Sequence, residues 1–194
     1  MADRATSAEP GPGPLVAVAV ALEDPDWRTA VPGVERWARR AALAALGAAG
    51  GGAGPGDAGA EVSLVLADDR FVRRLNRRYR GRDAATNVLA FGGDGTPPPA
   101  GAPRLLGDVV VALGRARGEA AAGGIPLRDH LAHLVVHGVL HLLGYDHGTD
   151  AEAAHMERTE ALALAGLGVP DPHARGGHAG SGAEHGHDDR EGRF

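Results

Sequence analysis

Polar and apolar residues alternate over 61–67, and an unbroken apolar run fills 15–22, two patterns that read as β-strands, the second of them buried. Between them, residues 34–46 place Trp37, Ala41 and Ala44 along one side of a helix, and the Gly-rich stretch 47–59 ends it. Asp68 stands where an N-cap is needed for a helix running to about residue 79. Two more strands are expected at 86–91 and 106–113, separated by a Gly/Pro loop at 92–104. A helical stretch at 114–122 is punctuated by Gly123, Gly124 and Pro126, after which a long apolar helix runs to residue 143. Thr149 and Glu152 form a capping-box pattern for a last helix to about residue 165. The interleaving lacks regular βαβ spacing, so the expected class is α+β: a small mixed four-stranded sheet with about five helices packed on it. Residues 1–14 and 169–194 read as disordered tails around a single domain at 15–168. Deleting 172–194 is therefore expected to leave folding and metal content unchanged.

Composition narrows the chemistry. Seven of the 194 residues are aromatic, so the core must be built from Leu, Val and Ala. There is no cysteine, which excludes disulfides and thiolate ligands and leaves His, Asp and Glu to bind any metal. The apolar run at 15–22 is too short to cross a bilayer, and a cytoplasmic protein without membrane attachment is expected. The net charge of −5 argues against a polyanion partner, but the distribution of charge matters more than its sum.

The strongest chemical signal is the run His137-Gly138-Val139-Leu140-His141-Leu142-Leu143-Gly144-Tyr145-Asp146-His147. Four residues apart on a helix, His137 and His141 project from one face, about one turn apart, and can meet one metal. His133 cannot be the third ligand, because it lies about 12 Å along the axis from His141. Gly144 can end the helix in a left-handed conformation and bring His147 to the metal from the side. Three imidazoles with an open fourth position describe a catalytic zinc at the end of a central helix, one ion per chain. His130 and His133 are read as lying on the approach or as hydrogen-bonded bystanders. His173, His178, His185 and His187 fall in the tail and bind metal weakly at most. Where a zinc protease carries its general-base Glu, this chain has Gly138, which counts against peptidase chemistry.

Residues 70–82, RFVRRLNRRYRGR, hold seven Arg and no acid. On a helix, Arg70, Arg73, Arg74, Arg77 and Arg78 form a basic stripe able to contact RNA phosphates, while Phe71, Val72, Leu75 and Tyr79 face the core. Three blocks in order, YRGRDAATNVLAF (79–91), LLGDVVVA (105–112) and HLVVHGVLHLLGYDH (133–147), resemble the signatures of the YbeY family over about 15–168. That resemblance implies a zinc-dependent, single-strand-preferring endoribonuclease of ribosomal RNA maturation, at the 16S 3′ end, and of ribosome quality control. Implied partners are ribosomal RNA, the small ribosomal subunit and its assembly factors. It assigns the zinc to His137, His141 and His147, and a catalytic role to Arg80. Asn87 and Asp108 fall in family blocks, but turn-bonding or strand-ordering roles suit them equally, and Asp146 has no assigned role. The family's usual SFP is replaced by Ala90-Phe91-Gly92. A zinc hydrolase of another substrate and a non-catalytic assembly factor remain the alternatives.

Overall fold

The computed structural model describes residues 15–51, 59–93, 96, 98–99 and 102–175. In chain order these form β1 (Leu15–Leu22), α1 (Asp26–Ala30), α2 (Val34–Ala48), β2 (Gly59–Ala67), α3 (Asp69–Arg80), β3 (Val88–Gly92), β4 (Arg104–Ala112), α4 (Leu113–Ala122), α5 (Leu127–Leu142), α6 (Asp150–Ala165) and a 3-10 turn at His173–Arg175. The four strands make one mixed sheet in the order β1-β2-β4-β3. β1, β2 and β4 run parallel, and β3 pairs antiparallel with β4 at the edge. Six α-helices are present among the described residues, one more than expected. The addition is α1, whose five residues are too few to show a period; it is held by Trp27, which is fully buried and donates its indole N–H to the Ala67 carbonyl.

One sheet face carries the main core. Val62, Leu64 and Leu66 of β2 and Val109 and Val111 of β4 share one cluster with the buried side of α2, which runs through Val34, Trp37, Ala38, Ala41, Ala42 and Ala45. Ala44 is half-buried at the margin of that side. Helix α5 lies over β3 and β4, α2 lies beside it over β1, and α6 packs on both helices. The opposite sheet face is covered only in part, where α3 sets Val72 against Leu89, Val110 and Ala112. Ala17, Ala19 and Ala21 of β1 are exposed there, so β1 is an edge strand covered on one face and not a fully buried one. No helix among the described residues is long and apolar enough to cross a membrane.

The caps sit where the sequence places them. Asp68 accepts from the Phe71 amide (2.6 Å), and Thr149 and Glu152 form the capping box that starts α6. Strand β3 starts two residues later than expected, because the Asn87 side chain accepts from the Val88 amide (2.7 Å) and turns the chain first. Strand β4 begins earlier, at Arg104, and ends at Ala112, since Leu113 already belongs to α4. Its register skips Leu106 beside the Glu61/Val62 step, a bulge at which Gly107 adopts φ +135 and packs its backbone against Phe91.

Gly138 marks the closest approach of α5 to the sheet. A Cβ at this position would stand 2.6 Å from Val109 Cγ1 and 3.4 Å from Val88 Cγ2. Position 138 therefore faces the sheet, and any side chain there collides with β-branched residues that cannot swing aside. Gly138→Ala gains about 1 kcal/mol in helix propensity and meets an overpacking cost of about 1–3 kcal/mol. A lower denaturation midpoint is the expected result, and an unchanged or higher one would contradict this packing.

Candidate metal centre

The last turns of α5 and the loop after it bring three imidazoles together. His137 and His141, on one side of α5, place their Nε2 atoms 3.0 Å apart, and one nitrogen from each of His137, His141 and His147 lies within 4.8 Å of the others. The ring centroids of His147 are 5.2 Å from His141 and 6.0 Å from His137. All three rings are partly buried.

The turn that delivers His147 is a Schellman stop. Gly144 has φ +87, its amide bonds to the His141 carbonyl (3.0 Å), and the Tyr145 amide bonds to the Leu140 carbonyl (3.0 Å). The same turn points the Tyr145 carbonyl back at His141 Nδ1, 3.0 Å away. The Asp146 carboxylate accepts from the His147 amide (2.7 Å), which gives Asp146 a turn-fixing contact.

The other support is Glu160 of α6, which is 1% exposed. Its Oε1 accepts from His137 Nδ1 (2.7 Å) and its Oε2 from His173 Nε2 (2.7 Å), while His133 Nε2 stands 3.7 Å from Oε2. Burial alone would raise the Glu160 carboxyl; interactions with His133, His137 and His173 outweigh it and hold it well below the usual carboxylate range. As an ionised acceptor, Glu160 requires the proton on Nδ1 of His137, and the Tyr145 carbonyl requires it on Nδ1 of His141. With those tautomers the two Nε2 atoms face each other across 3.0 Å, an arrangement that can hold a cation between them. Ligand bonds of about 2.1 Å reach across such a gap. His133, His137 and Glu160 form a second group of suitable size, but it uses the His137 nitrogen that is already bonded to the carboxylate. It is best understood as the outer layer of the first group.

Sequence reading missed Glu160 and misplaced His173. The signal for Glu160 was an acid on the buried side of the last helix, between Met156 and Thr159 before it and Ala163 and Leu164 after it. His173, expected in a disordered tail, instead sits in the short 3-10 turn against α6. The tail residues 1–14 and 176–194, with His178, His185 and His187, lie outside the described residues. His130 is a hydrogen-bonded neighbour: its Nε2 lies 2.9 Å from Glu119, which also accepts from Asn87 Nδ2 (3.0 Å). Asn87 thus ties the start of β3 to α4. Asp108 is exposed on the open sheet face, opposite Ser63 and Phe91.

Helix α3 presents Arg70, Arg73, Arg74, Arg77 and Arg78 to solvent, as expected. Two details differ. Arg73 is bound by two parallel hydrogen bonds to Asp83 (2.8 and 2.7 Å), so its charge is already matched. Tyr79 does not face the core; it is 60% exposed, with its ring 5.2 Å from Phe91. The buried line of α3 runs instead through Val72 and Asn76, whose side-chain amide donates to the Ala84 carbonyl (2.7 Å). Arg80 is exposed at the end of α3, before Gly81, whose φ of +69 closes the helix. Its helix covers the sheet face opposite α5, near the β3 edge.

Three imidazoles on a helix and its stop turn, two of them propped by a buried carboxylate and a carbonyl, form a cluster that could hold a metal ion on a small mixed sheet. The chain belongs to the Endoribonuclease YbeY family, whose model matches residues 34–168. Among curated relatives, the Endoribonuclease YbeY of Paramagnetospirillum magneticum is 48% identical over 161 residues, covering 81% of this chain and 96% of that protein. That of Rhodospirillum rubrum is 47% identical over 165 residues, 82% of each chain. A third, from Rhodopseudomonas palustris, is 52% identical over 121 residues, a match spanning 62% of that protein. His173 lies beyond the part that the family model matches.

The contact between His173 and Glu160 leads to a different prediction for truncation than the deletion of 172–194 read from sequence. A chain ending at residue 170 leaves a buried carboxylate oxygen with His133 alone, at 3.7 Å. It should lose about 1–2 kcal/mol of stability in urea titration, as should His173→Ala. Full-length stability in both would show that solvent replaces the imidazole without loss.

Proposed function

We propose that this chain is a zinc-dependent, single-strand-preferring endoribonuclease that matures the 3′ end of 16S ribosomal RNA and takes part in ribosome quality control. It would act in the cytoplasm beside the small ribosomal subunit and its assembly factors. The observation that carries the metal assignment is the pair of facing Nε2 atoms on His137 and His141, each ring with a separate acceptor against its Nδ1. Family membership carries the reaction class.

In this reading His137, His141 and His147 hold one zinc, which when bound supplies Lewis-acid polarisation of phosphate and water. Glu160 and the Tyr145 carbonyl orient the rings of His137 and His141 and favour the tautomers that leave their Nε2 atoms free for the metal. Arg80 grips two non-bridging oxygens of the scissile phosphate and stabilises charge that develops as the bond breaks. Arg70, Arg74, Arg77 and Arg78 hold the neighbouring backbone, with Arg73 contributing less because of Asp83. Peptide hydrolysis is disfavoured for a geometric reason: position 138, where a protease places its general base, abuts Val109 and admits no carboxylate.

His141→Ala removes one nitrogen of the facing pair and leaves the Tyr145 carbonyl without its side-chain donor. The expected result is loss of bound zinc by elemental analysis together with a lower melting temperature; full occupancy in this variant would refute the ligand assignment. A separate comparison isolates Arg80. Arg80→Lys keeps the charge but loses the planar fork, so single-turnover RNA cleavage should fall at least tenfold more than RNA affinity at one fixed salt concentration. Equal losses would remove the catalytic role, and a parent protein that binds RNA without cutting it would favour the assembly-factor reading.

A further inference from the structure

On the far side of α5 from the imidazoles, α2 and the first turn of α5 enclose a cleft of about 360 Å³, lined by Pro32, Gly33, Arg36, Trp37, Arg40 and Arg128. Three guanidinium groups converge there and no acid lines it. Among the described residues none of the three has a carboxylate partner, and the nearby Glu35 is taken by Arg28 (2.6 Å). Like charges gathered without a counterion repel one another, and such a grouping is stabilised when an anion enters it.

The cleft is also built to hold its shape. Trp37, 5% exposed, donates its indole N–H to the Arg128 carbonyl (2.7 Å), and the Arg128 guanidinium lies 3.7 Å over the same ring. The Arg40 guanidinium sits 5.4 Å from the ring centroid. Covering Trp37 would need only one of these side chains, and Arg36 makes neither an ion pair nor a ring contact.

We propose that this cleft is a second phosphate-binding site, one that grips the backbone of RNA at a distance from the cleavage centre. The inference rests on the endoribonuclease reading for the identity of the anion. Arg128 and His141 are thirteen residues apart on one helix, about 20 Å along its axis. Arg128 and His137, nine residues apart, point to opposite sides. An RNA that reaches both must span more than that 20 Å, because the sheet, α2 and α6 pack around α5, and so needs more than about six stacked nucleotides at 3.4 Å each. Short oligonucleotides can fill one site only; folded RNA of the length found in ribosomal precursors can fill both. The cleft would thus select for long or structured substrates without reading their sequence.

The test compares a labelled tetranucleotide with a structured RNA of about forty nucleotides, both bound to the full chain at several salt concentrations. The triple variant Arg36→Gln, Arg40→Gln, Arg128→Gln should bind the long RNA at least about tenfold more weakly, with a log–log salt slope lower by about two, since each lost phosphate contact removes about 0.7. Its tetranucleotide affinity, zinc content and melting temperature should match the parent's. If the triple variant folds poorly, Arg36→Gln with Arg40→Gln keeps the stacked Arg128 and should show the same selective loss at smaller size. Unchanged affinity for the long RNA would overturn the proposal, as would an equal loss for both RNAs. Millimolar inorganic phosphate that fills the cleft, read by Trp37 emission, without weakening long-RNA binding would overturn it too. A parent that binds neither RNA would refute the endoribonuclease reading itself and the proposal with it.

Discussion

The approach of α5 to the sheet at Gly138 is the constraint on which the rest of the structure depends. A helix pressed this closely onto Val109 and Val88 has no freedom to rotate, so the directions of all its other side chains follow from the helical period. Leu131 and Val135 go into the core, and His137 and His141 are carried round to the flank where α6 and the stop turn meet them. A larger residue at 138 would lift the helix and misaim both imidazoles at once. The imidazoles lie on one flank of α5 and the arginine cleft on the other.

Much of this was legible in the sequence because it is local. The 3.6-residue period of α2, the long apolar run of α5, the alternation of β2, the Asp68 and Thr149 caps and the Gly144 stop each need only a few neighbouring residues to be recognised. The three imidazoles fall within eleven residues, and both the helix and its termination could be inferred from that stretch alone. What is not legible there depends on residues distant in sequence. Glu160 becomes meaningful only once α6 is packed against α5, and Trp27 only once its indole reaches Ala67. Tyr79 was assigned to the buried side of α3 from its spacing, yet the helix docks along Val72 and Asn76, with a polar residue buried to pin the following loop. Amphipathic spacing identifies a face to within one residue or so; tertiary contacts choose the line within it.

Charge shows the same limitation. The arginine run on α3 is conspicuous in sequence, yet the structure neutralises Arg73 with Asp83. The cleft on the opposite flank draws Arg36, Arg40 and Arg128 from two helices separated by nearly eighty residues, none of them in a conspicuous run. A chain with a net charge of −5 can therefore present local positive surfaces on both sides.

The Schellman stop ties helix termination and ring orientation to the same few atoms. Opening the Tyr145–Leu140 bond frays the last turn of α5, withdraws the acceptor from His141 Nδ1 and releases the loop that carries His147. The solvent-exchange rate of the Tyr145 amide therefore reports the integrity of the whole cluster in the resting protein, with neither RNA nor turnover required. Any ligand that bridges His141 and His147 slows that exchange by the factor with which it favours the closed turn.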